Sequence, residues 1–156
     1  MSTFTHQCSA VEPVDILFVE DNPHDVTLLR DAFESVVSDR ETRLHAVVSG
    51  SDAMSFLCRS VESDSDSPPN FVLLDLNLPS YGGTEILEAI TAVPQLRRLP
   101  IVVLSGSDDR SDIARCYEGY ANAYLTKPSD LDEFISLVET IDRFWFTQAT
   151  LPSASI

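Results

Sequence analysis

Five short apolar runs, each followed by a stretch with helical periodicity, leave this chain few architectures to choose from. The runs are Asp15 to Val19, Leu44 to Val48, Phe71 to Leu76, Ile101 to Leu104 and Ala121 to Leu125. They are continuously apolar rather than alternating, as strands are when helices cover both faces of their sheet. Helical signals follow each run. Asn22-Pro23 offers an N-cap and a proline at the first helical position, ahead of a stripe through Val26, Leu29 and Phe33. A short helix from Ser51 to Arg59 carries Ala53, Phe56 and Leu57, and a third presents Ile86, Leu87 and Ile90. Asp108 and Asp109 stand where a fourth would start, and Ser129 or Asp130 caps a fifth with a stripe from Leu131 to Trp145. The polar, acidic stretch from Ser60 to Pro69 reads as an exposed loop. Strands alternating with helices give an α/β chain: a doubly wound, five-stranded parallel sheet in one domain.

In such a sheet ligands bind beyond the carboxyl ends of the strands, where the strand order reverses. The strand ends here carry Glu20-Asp21, Asp75, Ser105 and Lys127. Crowded carboxylates repel unless a cation joins them. Magnesium suits this donor set, because it takes carboxylates, carbonyls and phosphate oxygens. The backbone carbonyl of Asn77, two residues past Asp75, is placed to complete it. Lys127 is the only lysine, against nine arginines, and supplies a compact positive charge to pair with Asp75 and later with a phosphoryl oxygen. Together these groups permit attack by a carboxylate on phosphorus, a reaction that mostly demands positioning and charge neutralisation. Ser105 would donate its hydroxyl to the new phosphoryl group, and Gly106 would leave it space. Taken singly each residue has an ordinary explanation in a wet loop. Their joint placement on four strand ends does not.

These residues resemble the receiver domain of response regulators, from about Val14 to Phe146. Glu20-Asp21 is similar to that family's acidic pair, Asp75 to its phosphoacceptor, Ser105 to its hydroxyl position and Lys127-Pro128 to its lysine-proline step. The resemblance implies a flavodoxin-like (βα)5 fold for residues 14–147, with a flexible segment at 1–13 and a tail at 148–156. It implies Mg2+ held by Asp21, Asp75 and the Asn77 carbonyl, with Glu20 acting through water. It also implies a switch in which Tyr124 turns inward when Ser105 engages the phosphoryl group. The implied partner is a sensor histidine kinase or phosphotransfer protein. Val19 to Pro23, the acidic loop and the ending Phe144-Trp145-Phe146 are similar to small regulators that partner phytochrome-like or hybrid sensor kinases. That family's DNA-binding output domains have no counterpart among Thr147 to Ile156.

Composition bears on what is left. The formal net charge of −15 disfavours nucleic acid and anionic lipid as partners. It also fits a salt-rich cytoplasm, or simply an acidic protein. No apolar run approaches a membrane span, and the first thirteen residues do not read as a signal peptide, so a cytoplasmic protein is expected. Cys8, Cys58 and Cys116 fit neither a disulfide framework nor a zinc site. A signalling switch and a phosphoryl sink share all the site residues. A phosphatase working through an aspartyl phosphate wants an acid two residues after the nucleophile, where this chain has Asn77. Dinucleotide binding lacks its G-x-G-x-x-G after the first strand. The aromatic ending exceeds what one core-facing stripe needs, so it serves either a homodimer or partner, or packing against the N-terminal segment.

Overall fold

The structure, a computed structural model, describes residues 13–36, 41–62, 68–76, 78, 83–106, 110–119 and 121–148. Five strands form one parallel sheet: β1 (Val14–Val19), β2 (Thr42–Val47), β3 (Phe71–Asp75), β4 (Ile101–Ser105) and β5 (Ala123–Thr126). The helices are α1 (Pro23–Ser35), α2 (Gly50–Glu62), α3 (Gly83–Thr91), α4 (Arg110–Glu118) and α5 (Leu131–Ile141). Strand order is β2-β1-β3-β4-β5. The chain leaves β1 outward to β2 and returns to place β3 on the other side, so order reverses between β1 and β3. The expected doubly wound fold is the observed one.

The continuous runs explain the burial. Every residue of β3 and β4 is buried, whereas edge strands β2 and β5 are mostly half-buried. Successive side chains still go to opposite faces, which divides the core in two. Leu17, Val19, Val72, Leu74 and Val103 pack with Leu57 of α2, Ile86, Leu87 and Ile90 of α3, and Cys116 of α4. Ile16, Phe18, Phe71, Leu73, Val102 and Leu104 pack on the other face with Leu29 of α1 and Phe134, Val138 and Ile141 of α5.

Caps fix where the helices begin. Asn22 Oδ1 accepts from His24 N at 2.9 Å, with Pro23 at the first helical position, as expected. For α5 the cap is Asp130, whose Oδ1 accepts from Glu133 N at 2.9 Å. Glu133 Oε1 accepts in return from Ser129 N and Oγ, which lowers its pKa. One expectation fails. The helix expected to end at Arg59 runs on to Glu62, so Ser60 to Glu62 are helical and not loop. Ser60 is buried and donates Oγ to Phe56 O at 2.9 Å, which satisfies its hydroxyl inside the helix, and Val61 packs on the core. The middle of the acidic stretch, 63–67, lies outside the described residues, as do Asp108, Asp109 and nearly all of the two expected flanks.

The chain's ending divides. After α5 it continues as a π-helical turn, Asp142–Gln148. Trp145 sits edge-on to Phe71 with ring centroids 5.5 Å apart, so it extends the α1/α5 core. Phe144 stands perpendicular to Trp145 at 5.2 Å and is half exposed.

Candidate functional site

Parallel register sets the site. Val19 pairs with Leu74, so Glu20 and Asp21, the first residues past β1, come level with Asp75 at the end of β3. Asp75 pairs with Leu104, which puts Ser105 one residue further along β4. Lys127 follows directly on β5, and its backbone N–H donates to Ser105 O at 2.9 Å. Four strands thus deliver their terminal residues to the crevice where strand order reverses.

Carboxylate oxygens of Glu20, Asp21 and Asp75 all lie within 4.8 Å of one another. Glu20 and Asp75 are buried and Asp21 is exposed, so the cluster opens outward on one side. Lys127 Nζ lies 3.2 Å from Asp75 Oδ2, to which it donates, and 2.8 Å from Glu20 Oε1. The approach to Glu20 lacks hydrogen-bond alignment, and Oε1 is a buried oxygen with no aligned donor. The other oxygen, Oε2, accepts from Asn22 N at 3.2 Å.

One ammonium does not balance these acids. Burial pushes the Glu20 carboxyl up to about 7; contact with Lys127 opposes this and neighbouring Asp75 adds to it. Burial alone would lower the pKa of Lys127, but its contacts with Glu20 and Asp25 and the charge of Asp75 raise it above the ordinary value. A lysine held charged beside an underprotected buried carboxylate marks a site that is short of positive charge. The donor set is all oxygen, closely spaced, with one buried oxygen still seeking an aligned partner. It fits a hard divalent cation.

Asp25 belongs to this group and was not among the residues picked from the sequence. Its Oδ2 lies 2.9 Å from Lys127 Nζ. Its only local signal is its place in the first turn of α1, where the macrodipole already favours an acid.

Of the remaining expected residues, Ser105 is 1% exposed at the end of β4. Tyr124, whose β4 partner is Val103, is half-buried against the α2–α4 side of the core. A Cβ built on Gly106 meets nothing within 4 Å, so open space lies beside Ser105 whichever small residue stands there. Asn77 lies outside the described residues.

The family follows from comparison with known proteins. Residues 16–139 match the model of the response regulator receiver domain. This chain is a response regulator receiver domain. It is 39% identical over 142 residues, covering 91% of this chain and 95% of the relative, to response regulator Rcp1 of Synechocystis sp.. It is 37% identical over 136 residues to the probable methanogenesis regulatory protein FilR2 of Methanothrix harundinacea, covering 87% and 86%. Among solved structures, the phosphorylated cyanobacterial phytochrome response regulator RcpA superposes with a TM-score of 0.79 at 38% identity, covering 90% of this chain and 99% of that one. The Mn2+-bound form of Rcp1 gives 0.78 at 37% identity, covering 90% and 100%. The receiver domain is therefore a component of two-component signalling, as its strand ends led us to expect. Among its described residues no helix is long and apolar enough to cross a membrane.

Proposed function

We propose that Asp75 is the phosphoacceptor, taking a phosphoryl group from a phosphohistidine on a sensor kinase or phosphotransfer protein. The observation that carries this is Lys127 Nζ at 3.2 Å from Asp75 Oδ2, in the same crevice as the Glu20–Asp21–Asp75 oxygen cluster. An Asp75 carboxylate oxygen attacks phosphorus, the N–P bond breaks, and the imidazole leaves with its electron pair and takes a proton. The product is an acyl phosphate on Asp75. Lys127 neutralises charge on the phosphoryl oxygens, and it is anchored for this by the acids around it. Mg2+, when bound by Asp21, Asp75 and the Asn77 carbonyl with Glu20 behind a water, supplies the remaining positive charge for phosphoryl transfer.

Receiver domains act as switches, and here the switch would run through Ser105 and Tyr124. Ser105 donates its hydroxyl to the phosphoryl group, in the open space beside Gly106, and half-buried Tyr124 fills the room that Ser105 vacates. Residues 14–147 make up the working unit in this reading. The likeness to Rcp1 and RcpA supports a phytochrome-type sensor kinase as the donor. Half-exposed Phe144 supports a homodimer, to be checked by light scattering with and without beryllofluoride.

Labelling with radioactive acetyl phosphate tests the central step. The parent should take up label in Mg2+ and take up none when chelator is present from the start, and Asp75→Asn should take up none in either. Equal labelling of parent and Asp75→Asn would remove Asp75 from the role.

A further inference from the structure

Lys127 faces three acids, and only two of them belong to the proposed metal and acceptor set. The third, Asp25, comes from α1 and is bound to nothing that explains its direction as a helix-capping acid. Asn22 is the N-cap and Pro23 the first helical residue, so Asp25 is third, where an acid commonly reaches back to the cap's N–H. That N–H is already taken by Glu20 Oε2, at 3.2 Å. The helix dipole accounts for an acid in this turn, but not for a carboxylate only 13% exposed and 2.9 Å from an ammonium on another strand.

The geometry has a consequence for Lys127. Around Nζ stand three carboxylates at 2.8, 2.9 and 3.2 Å; Asp75 accepts a hydrogen bond, and Glu20 and Asp25 hold the ammonium as ion pairs. Glu20 and Asp75 are the two whose charge a bound cation and an incoming phosphoryl group would share. Asp25 is not one of the three acids whose oxygens cluster within 4.8 Å, and its contact is with the lysine. Lysine is a flexible stem carrying a point charge, without the planar fork that holds arginine in place. It therefore needs an anchor that the reaction does not use.

We propose that Asp25 is a positioning residue: it holds the Lys127 ammonium at Asp75 while the other two acids are engaged by the cation and the phosphoryl group. This rests on the reading of Asp75 as phosphoacceptor. The same contact ties the first turn of α1 to the end of β5, so the helix start and the lysine are set together.

The test is a double-mutant cycle on the full chain, using initial rates of labelling by acetyl phosphate in saturating Mg2+. Asp25→Ala should lower the maximal rate by about tenfold to a hundredfold, the scale of a small misplacement of a catalytic group. The half-saturating acetyl phosphate concentration should stay at the parental value. Asp25→Asn, which keeps an acceptor oxygen but no charge, should fall between. On a Lys127→Ala background, Asp25→Ala should change nothing further, because its effect passes through the lysine. A parental rate in Asp25→Ala would overturn the proposal. So would a double variant slower than Lys127→Ala by the same factor as the single change, which is the mark of a general structural role. Where Asp25→Ala fails to fold by circular dichroism, the same cycle with Asp25→Asn decides. Label appearing in Asp75→Asn would overturn the acceptor assignment and this inference with it. A parental rate in Asp25→Ala with Asp75→Asn unlabelled overturns this inference alone.

Discussion

β1 begins and ends among ion pairs, and the two groups are built on opposite plans. Near its start Asp15 accepts from Arg43 Nε and Nη2 at 2.8 and 2.9 Å, and His45 Nε2 lies 3.1 Å from the same carboxylate. These side chains are well exposed, 53% for Arg43 and 41% for His45. Just past its end, Glu20 shares Lys127 with Asp25 and Asp75, in a crevice where Glu20 is wholly buried. The first group has two bases for one acid, faces water and closes on itself. The second has one base for three acids, and two of those acids, Glu20 and Asp75, are buried. A charge pair in solvent needs nothing else, and salt and water absorb most of its energy. A buried surplus of one sign demands a further partner of the other. The contrast separates charge that decorates a fold from charge that recruits a ligand.

Removing the lysine should break the contrast most severely. In chelator at about pH 8, Lys127→Met leaves Glu20 and Asp75 buried without a counter-charge. Breaking such a pair costs ~3 kcal/mol, at the low end of the usual range because Glu20 can answer by taking a proton. Urea denaturation would measure the loss, and an unfolding midpoint equal to that of the parent would show that the acids do not depend on Lys127.

The pH dependence of the metal-free protein sharpens the same point. Glu20 gives up its proton at about 7 in the fold, against 4.5 for an unperturbed glutamate, so over that window the folded chain binds more protons than the unfolded one. Stability from this group is therefore complete below 4.5 and is lost as pH rises through about 7. Mg2+ competes with that proton, so its affinity should rise over the same window, and at a hundred times its Kd it should return about 2.7 kcal/mol of stability. Thermal melts across pH, with and without Mg2+, check both signs. Metal-free stability that rose steadily from pH 4.5 to 7 would contradict the burial argument for Glu20.

The smallest effect belongs to the exposed group. Asp15→Ala should leave the unfolding midpoint close to the parent's and the labelling rate unchanged. Its remaining influence should vanish in molar salt, while the Lys127 variant keeps its defect there. A labelling defect in Asp15→Ala would mean that the two ends of β1 are coupled.

How much of this was legible beforehand follows from where the signals lie. β1, β3 and β4 announced themselves because they are buried on both faces and so carry unbroken apolar runs. β2 and β5, with polar residues such as Arg43 and His45 admitted at the edge, gave vaguer limits. The acids at the strand ends could be placed because parallel strands deliver consecutive chain positions to one crevice. Asp25 escaped because its partner comes from a distant strand, and its own position already had a sufficient local reason in the start of a helix. Ser60 misled in the opposite direction: its serine-rich neighbourhood signals a loop, but one hydroxyl turned back on Phe56 O keeps the helix going.

The packing of the last aromatic residues has a practical side. Trp145 is the chain's single tryptophan, and it rests on Phe71 at the start of β3. Asp75 closes that same strand, about 13 Å away at the usual rise per residue. The molecule thus carries one indole fluorophore, on the α1/α5 face, touching the strand whose far end bears the proposed acceptor. Its emission offers a label-free optical gauge of any movement transmitted along β3.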